Sequence, residues 1–390
     1  MTVPRPRLCV VSPVHWQTFM GGAQYQIKCL LDYMRESDSF DIHYLARRIP
    51  DESALDGINL HRIGRRGPSP RFGYAIDSKD LYATLRRVRP AVIYQRIGCA
   101  YTGVAAYYAA RHDACFVWHV SSDADLDRKT RIPDRNVVRR VLDRSFLAYG
   151  IRNADRIVVQ TNKQAQLLTH HYSRTADAVI ENFHPLPKEV RAADSPARII
   201  WVANFKRLKQ PEVFLRLAAR LGDLSQVRFV MIGAAAAGEG EASWNQSLMQ
   251  QIEDAANVDY LGPMSQDEVN AQLVGAYAFV NTSLYEGFPN TFIQSWLRNV
   301  PVVSLAVNPD NVLDRASVGI LAPTEERLAV AVRGLLANTE LHDQLARNAG
   351  EYARKYHSMK NAAQLAALIE NAASSAKTAC RQSPSKHAED

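Results

Sequence analysis

Short apolar runs alternate along this chain with longer segments in which apolar residues return every three or four positions. The runs read as buried strands and the periodic segments as helices packed on them. In the first half the strands fall at 8–11, 42–45, 59–63, 91–94, 115–118, 156–159 and 178–180. Helical periodicity occupies 23–34, 81–88 and 102–111, and Pro90 ends the second of these. A polar, proline-bearing stretch at 184–187 and 191–196 breaks the pattern and reads as a linker. A second series follows, with strands at 198–202, 227–232, 258–261, 279–280 and 300–303. Its helices fall at 211–221, 267–274, 325–338, 341–355 and 360–373. Strands alternating with helices predict a parallel, helix-covered sheet, here built twice.

At 390 residues the chain is too long for one ordinary core. We read residues 1–195 as a first domain, 196–373 as a second, and the polar segment 374–390 as a disordered tail. The last helix, 360–373, is free to cross back to the first domain. No apolar run approaches the roughly 20 residues that span a bilayer. The N-terminus reads as a first strand rather than a signal peptide. Cys9, Cys29, Cys99, Cys115 and Cys380 are odd in number and scattered, with no C-x-x-C spacing. That argues for a reducing, cytoplasmic setting and against structural zinc. The net charge of +7 is unevenly placed: residues 1–195 carry 29 Lys and Arg against 20 Asp and Glu, and the remainder 18 against 20. The first half therefore invites an anionic partner.

Chemistry concentrates where strands turn into helices. Residues 279–303 read FVNTSLYEGFPNTFIQSWLRNVPVV. A strand runs into the polar turn Asn281-Thr282-Ser283, the lone carboxylate Glu286 follows, and a helix opens near Asn290-Thr291. A carboxylate at the C-terminal end of a parallel strand, beside a helix start, lies where open α/β sheets bind ligands. A second joint, Trp201 to Pro211, carries Asn204, Lys206, Arg207 and Lys209. Gly21-Gly22 precede the helix at 23–34, where backbone can approach an anion. His119 ends the strand at 115–118, and Gln95-Arg96 follow the strand at 91–94. Gly233 and Gly262 close two further strands. Asp123-Ala-Asp125 follows Ser121-Ser122, and its acids suit a helix N-terminus better than a metal. Residues 128–156 carry nine Lys and Arg against three Asp and Glu, with apolar residues at helical spacing. A basic amphipathic helix of this kind reads either as a membrane-surface element or as a solvated face. No recognition motif accompanies the charge, so nucleic acid is not expected as a partner.

The segment 279–303 closely resembles the donor-site motif of retaining GT-B glycosyltransferases of the group 1, family 4 type, which that family writes E-x7-E. The resemblance extends over residues 7–373. It implies two Rossmann-like doubly wound parallel-sheet domains facing a cleft, with acceptor on the first and nucleotide sugar on the second. It implies transfer of a sugar from a nucleoside diphosphate to an acceptor hydroxyl, with retention and with no metal or other cofactor. Polysaccharide or glycolipid assembly at the cytoplasmic membrane face is the expected setting. The acceptor is expected to be a saccharide or lipid-linked saccharide, with an anionic membrane surface as a further partner. Residue by residue it implies catalytic roles for Glu286, Lys209 and His119. Donor contacts fall to Gly21, Gly22, Asn204, Lys206, Arg207, Gly233, Gly262, Phe288, Asn290, Thr291 and Gln294. The chain departs from the pattern at three places: Gln294 replaces the second glutamate, Asn204 stands where an arginine is usual, and residues 234–237 are alanines in place of an acidic-glycine pair. These departures keep two alternatives open: a non-catalytic sugar-nucleotide-binding protein, and a GT-B-type isomerase or epimerase acting on a nucleotide sugar.

Overall fold

The computed structural model describes residues 4–51, 54–55, 57–65, 74–127, 137–188, 190, 196–235 and 241–382. They divide into two compact units, Met1–Phe183 with Met359–Asp390, and His184–Ser358.

The sheet of the first unit contains β1 (Arg7–Val14), β2 (Asp41–Arg48), β3 (Ala54–Leu55), β4 (Ile58–Arg62), β5 (Val92–Gln95), β6 (Cys115–His119), β7 (Arg156–Val159) and β8 (Ala178–Val179). Their order is β3-β4-β2-β1-β5-β6-β7-β8. Every pairing is parallel except β3 with β4. The helices are α1 (Gly22–Ser37), α2 (Ser78–Val88), α3 (Ala100–Ala109), α4 (Asp123–Leu126), α5 (Val137–Asn153) and α6 (Asn162–Tyr172). β1 shows why an unbroken apolar run makes a central strand. Leu8 and Val10 point into one core with α1, and Cys9 and Val11 into a second core with α2 and α3. All four are fully buried.

The second unit carries β9 (Ala197–Val202), β10 (Val227–Ile232), β11 (Val258–Tyr260), β12 (Ala276–Asn281), β13 (Val302–Ser304) and β14 (Gly319–Leu321). Their order is β11-β10-β9-β12-β13-β14, all parallel. Its helices are α7 (Pro211–Arg220), α8 (Ala242–Glu253), α9 (Gln266–Val274), α10 (Asn290–Trp296), α11 (Val312–Arg315), α12 (Glu325–Ala337) and α13 (Thr339–Tyr356). In each sheet the strand order reverses once, between β1 and β5 and between β9 and β12. Loops leaving these strands are where a doubly wound sheet opens a crevice.

Two sequence expectations are corrected. The boundary between units falls at 183/184 rather than 195/196. Phe183 belongs to the first unit because its backbone N–H and carbonyl both bond the Gln26 side chain, at 3.1 and 2.8 Å. Residues 191–195 of the expected linker lie outside the described residues. The last helix, α14 (Lys360–Gln382), belongs to the first unit and runs eight residues past Ser374 into the expected tail; 383–390 lie outside the described residues. The reason is its stripe Ala362, Leu365, Ala366, Ile369 and Ala372, a helical core face. It completes the cluster begun by Ile27, Leu30 and Leu31 of α1.

Candidate active site

The reversal between β9 and β12 brings the two joints singled out in the sequence together. After β9 the chain makes a 3-10 turn at Arg207–Lys209, then passes through Gln210, which has a left-handed φ of 47°. A non-glycine residue there is uncommon, and such strain concentrates at functional loops. Pro211 then opens α7 as a first-turn proline. The β9 loop is fastened to the β12 loop by three bonds. Trp201 Nε1 donates to Thr282 Oγ1 at 2.9 Å, Thr282 Oγ1 donates to the Lys209 carbonyl at 2.6 Å, and Leu284 N donates to the Leu208 carbonyl at 3.0 Å.

That clamp places Lys209 Nζ 2.8 Å from Glu286 Oε2, with the side chains 21% and 18% exposed. Glu286 Oε1 accepts from Ser283 Oγ at 2.7 Å and Asn281 Nδ2 at 3.1 Å. Burial alone would raise the Glu286 carboxyl. The Lys209 ammonium and the bonds from Lys209, Ser283 and Asn281 outweigh it and hold the pKa below the ordinary 4.5. Lys206 titrates below the ordinary lysine value, through desolvation first and then Lys209, against the pull of Glu286. Two ammonium groups and one carboxylate thus share a corner that favours an added anion.

The sign of the pH effect follows. A carboxyl whose folded pKa is depressed contributes stability above its unfolded value and loses it as pH falls through the folded one. In a urea titration series the advantage of the native protein over Glu286→Gln is expected to be constant above about pH 5 and to shrink below 4.5. An advantage that grows on acidification would show that Glu286 is protonated in the folded protein.

The other expected donor residues have individual placements. Asn204 Oδ1 accepts from Ala234 N at 3.3 Å and ties the β9 loop to the β10 loop. Residues 236–237 of the alanine run lie outside the described residues. Gly233 sits so close to the Ala203 carbonyl that a Cβ would overlap its oxygen. Gly262 takes a left-handed φ of 72° in open space. Arg207 is turned onto the Trp244 ring, 5.1 Å from its centroid, with Glu241 beside it. Phe288 is buried against His357 and Trp296, so its side chain serves the core. Asn290 Oδ1 faces His184 Nε2 at 3.2 Å; burial first, with His357 and Arg298, lowers the His184 pKa to about 3, so it donates as a neutral ring. Thr291 lies in the first turn of α10. Gln294 is buried, and its amide donates to Gln266 Oε1 at 2.8 Å and Asn270 Oδ1 at 2.9 Å, which joins α10 to α9.

In the first unit, Gly21 caps α1 in extended geometry with no side-chain cap, and Gly22 is the first helical residue. His119 is fully buried at the end of β6. Its Nδ1 lies 3.0 Å from Tyr94 Oη and accepts from Arg96 Nη1 at 2.9 Å. Burial first, and Arg96 second, push its pKa well below the ordinary value, against a bond to the Ile180 backbone. The imidazole is therefore neutral and engaged by protein on both sides, unlike the sugar-contacting histidine the resemblance implies. Arg96 also donates to Asn182 Oδ1. Asp125 accepts from the Ser121 and Ser122 N–H groups and closes a capping box on α4, while Asp123 pairs with Lys163 at 2.8 Å. Among the described residues no group of three or more His, Cys, Asp or Glu side chains could hold a metal ion.

Residues 196–338 match the family model of the group 1 glycosyl transferases. Over more than nine-tenths of its length the chain is similar in fold to solved GT-B structures. Sucrose-phosphate synthase from Thermosynechococcus elongatus superposes with a TM-score of 0.77 at 15% identity, over 94% of this chain and 99% of that one. Anabaena HepE in complex with UDP and glucose gives 0.74 at 15%, over 94% and 100%. WaaG, a glycosyltransferase of lipopolysaccharide biosynthesis, gives 0.73 at 12%, over 93% and 99%. The fold is thus GT-B. The likeness to the group 1 glycosyl transferases is carried by residues 196–338, within the second unit.

Proposed function

We propose that this protein moves a sugar from a nucleoside diphosphate to an acceptor hydroxyl, with retention of configuration and without a metal ion. The observation that carries the reading is the Lys209–Glu286 pair at the β9/β12 reversal. Breaking the glycosidic bond places negative charge on the departing diphosphate, and a positioned ammonium stabilises that charge. Lys209 takes this role, with Lys206 beside it. Glu286 accepts hydrogen bonds from the sugar hydroxyls and keeps Lys209 in place before donor arrives. His119 holds Arg96 rather than the reacting sugar. The HepE structures carry UDP and UDP-glucose, which puts uridine nucleotides first among donors to test. The basic first unit suits an anionic acceptor, and we take this to be a lipid-diphosphate-linked saccharide at the cytoplasmic face of a membrane, in polysaccharide or glycolipid assembly.

One observation favours a second reading, that of a non-catalytic nucleotide-sugar binder. The amide of Gln294 is engaged by α9, so the charge-assisted ribose contact of a second glutamate is absent. Thermal unfolding with UDP, GDP, ADP and their sugar conjugates, in chelator, tests both. A ligand that binds the native state raises the melting temperature. We expect one base to shift it and its sugar conjugate to yield glycosylated acceptor. No shift with any base would overturn the donor-site reading. A shift with no transfer to any lipid-linked saccharide would favour the second.

A further inference from the structure

Two arginines at the end of α2 have no partner of their own. An arginine at a helix end ordinarily bonds the last carbonyls. Arg174 does so where α5 stops, donating to the Ile151, Arg152 and Ala154 carbonyls at 3.2, 2.5 and 2.8 Å. At the end of α2 other groups take that part. Arg7 Nη1 donates to the Val88 carbonyl at 2.9 Å, and the Arg89 backbone N–H donates to the Leu85 carbonyl at 2.8 Å. Arg89 holds a left-handed φ of 51° at a helix end that glycine usually takes. Among the described residues the guanidinium groups of Arg86 and Arg89 enter no hydrogen bond and no ion pair, and both side chains are exposed.

Both arginines line a cavity of about 350 Å³, together with Pro90, Tyr108, His112 and Asp113. The cavity is built from the connections α2–β5 and α3–β6, so it lies at the edge where these strands begin. The crevice of a doubly wound sheet lies at the other edge, where strands end. Tyr108 forms the inner wall. It is 98% buried in the core that holds Leu85 and Val88, yet its hydroxyl has no hydrogen-bond partner among the described residues and faces the cavity. Burial first, with Cys9 and Tyr82, pushes its pKa up to about 12 against the opposing fields of Arg89 and Arg86. The hydroxyl is therefore a protonated donor that two cations look upon. The His112 ring lies over Tyr108 with centroids 4.3 Å apart, and its Nε2 meets Tyr82 Oη at 3.1 Å. The wall is thus held in place, and a donor this deeply buried ordinarily has a partner.

We propose that this cavity is a second ligand site, and that it takes a sugar phosphate. Two guanidinium forks match the oxygens of a phosphate, and the Tyr108 hydroxyl donates to one more. Two arginines against the single carboxylate of Asp113 leave a net positive charge for the anion. Asp113 repels the phosphate itself, but as an acceptor it suits the hydroxyl groups of a sugar. Free phosphate shares the anion contacts and lacks the hydroxyls, which makes it the weaker ligand. The volume is at the small end of ligand pockets, enough for a monosaccharide phosphate. Lys209 and Glu286 belong to the other unit, so the site stands apart from the proposed transfer reaction.

Calorimetric titration of the full chain with glucose 6-phosphate, inorganic phosphate and glucose tests this without any sugar donor. Glucose 6-phosphate is expected to bind about tenfold tighter than inorganic phosphate, and glucose not to bind. Arg86→Ala/Arg89→Ala changes two exposed side chains, so it should leave the melting temperature near native and weaken glucose 6-phosphate by at least about tenfold. Tyr108→Phe keeps the core ring and removes only the hydroxyl, and should weaken it about three- to tenfold. Lys209→Ala, in the other unit, should bind glucose 6-phosphate as the native protein does. Absence of binding overturns the proposal, and so does binding that the double alanine variant retains. Equal affinity for inorganic phosphate and glucose 6-phosphate overturns the assignment to a sugar ester. A loss in Lys209→Ala as large as in the double alanine variant would place the ligand at the donor corner and overturn the second site.

Discussion

Lys209→Ala is expected to lower the rate of sugar transfer about a hundred- to a thousandfold, the usual loss when one preorganised charge-stabilising donor is removed. Affinity for the nucleoside diphosphate should fall less, about tenfold or more, because a charge-assisted bond to phosphate contributes roughly 1.5–3 kcal/mol. The substitution has a second effect that must be separated from the first. It leaves Glu286 largely buried beside Ser283 and Asn281 without its cation. An uncompensated buried carboxylate destabilises the fold and raises its own pKa. Adding Glu286→Gln removes that charge, so the double variant should recover stability while its turnover stays low. A double-mutant cycle run on unfolding free energy and on kcat reads the two roles apart. If kcat recovers together with stability in the double variant, Lys209 is a structural partner of Glu286 and not a stabiliser of the leaving group.

The two parallel sheets and the joint at 279–303 were legible because they rest on strong local signals. β1, β9 and β12 are short apolar runs ended by polar turns, β10 ends at Gly233, and Pro211 marks the start of α7. Glu286 and Lys209 could each be singled out from sequence, and the β9/β12 reversal brings them into contact. What the sequence did not reveal is mostly long-range. Nothing local distinguishes a His119 whose ring is clamped by Tyr94 and Arg96 from one offered to a ligand. Arg96 and Asn182 meet across 86 positions, and periodicity carries no trace of such a pair. Phe288 followed the same logic: a motif position drew it to the donor, while Trp296 and His357 draw its ring into the core. The boundary failed because a Pro-rich stretch is a local cue, whereas the division is set by which core Phe183 and the α14 stripe enter. Helices α6 and α8 went unread although Thr161 caps the former by accepting from Gln164 N at 3.1 Å, a signal the chain does display. β14 is only three residues long and has no periodicity to detect.

Gly233→Ala is expected to cost about 2–5 kcal/mol, because overpacking against rigid surroundings is added to backbone strain. The atom a new Cβ would strike is a backbone oxygen, that of Ala203, and not the end of a flexible side chain. Ala203 cannot yield without breaking its neighbours' bonds. Its N–H donates to the Ile232 carbonyl at 3.0 Å, Phe205 N donates to the Ala234 carbonyl at 2.8 Å, and Asn204 Oδ1 accepts from Ala234 N. Gly262 is the natural control. It accepts the Gly233 N–H at 2.9 Å and has a left-handed φ, yet a Cβ there meets nothing within 4 Å. Gly262→Ala should therefore cost only the left-handed penalty, about 1–2 kcal/mol. The two variants should also part in function. Displacing Ala203 moves the start of the loop that carries Asn204, Lys206 and Lys209, so Gly233→Ala should weaken nucleoside diphosphate binding as well as lower the urea midpoint. Gly262→Ala should lower the midpoint and leave binding near native. Equal losses of binding in both variants would mean that the β10 and β11 loops contact the ligand themselves. A near-native Gly233→Ala would mean that the β9 loop gives way at little cost, and the rigid placement of Lys209 against Glu286 would then need another source than the crossing at Ala203.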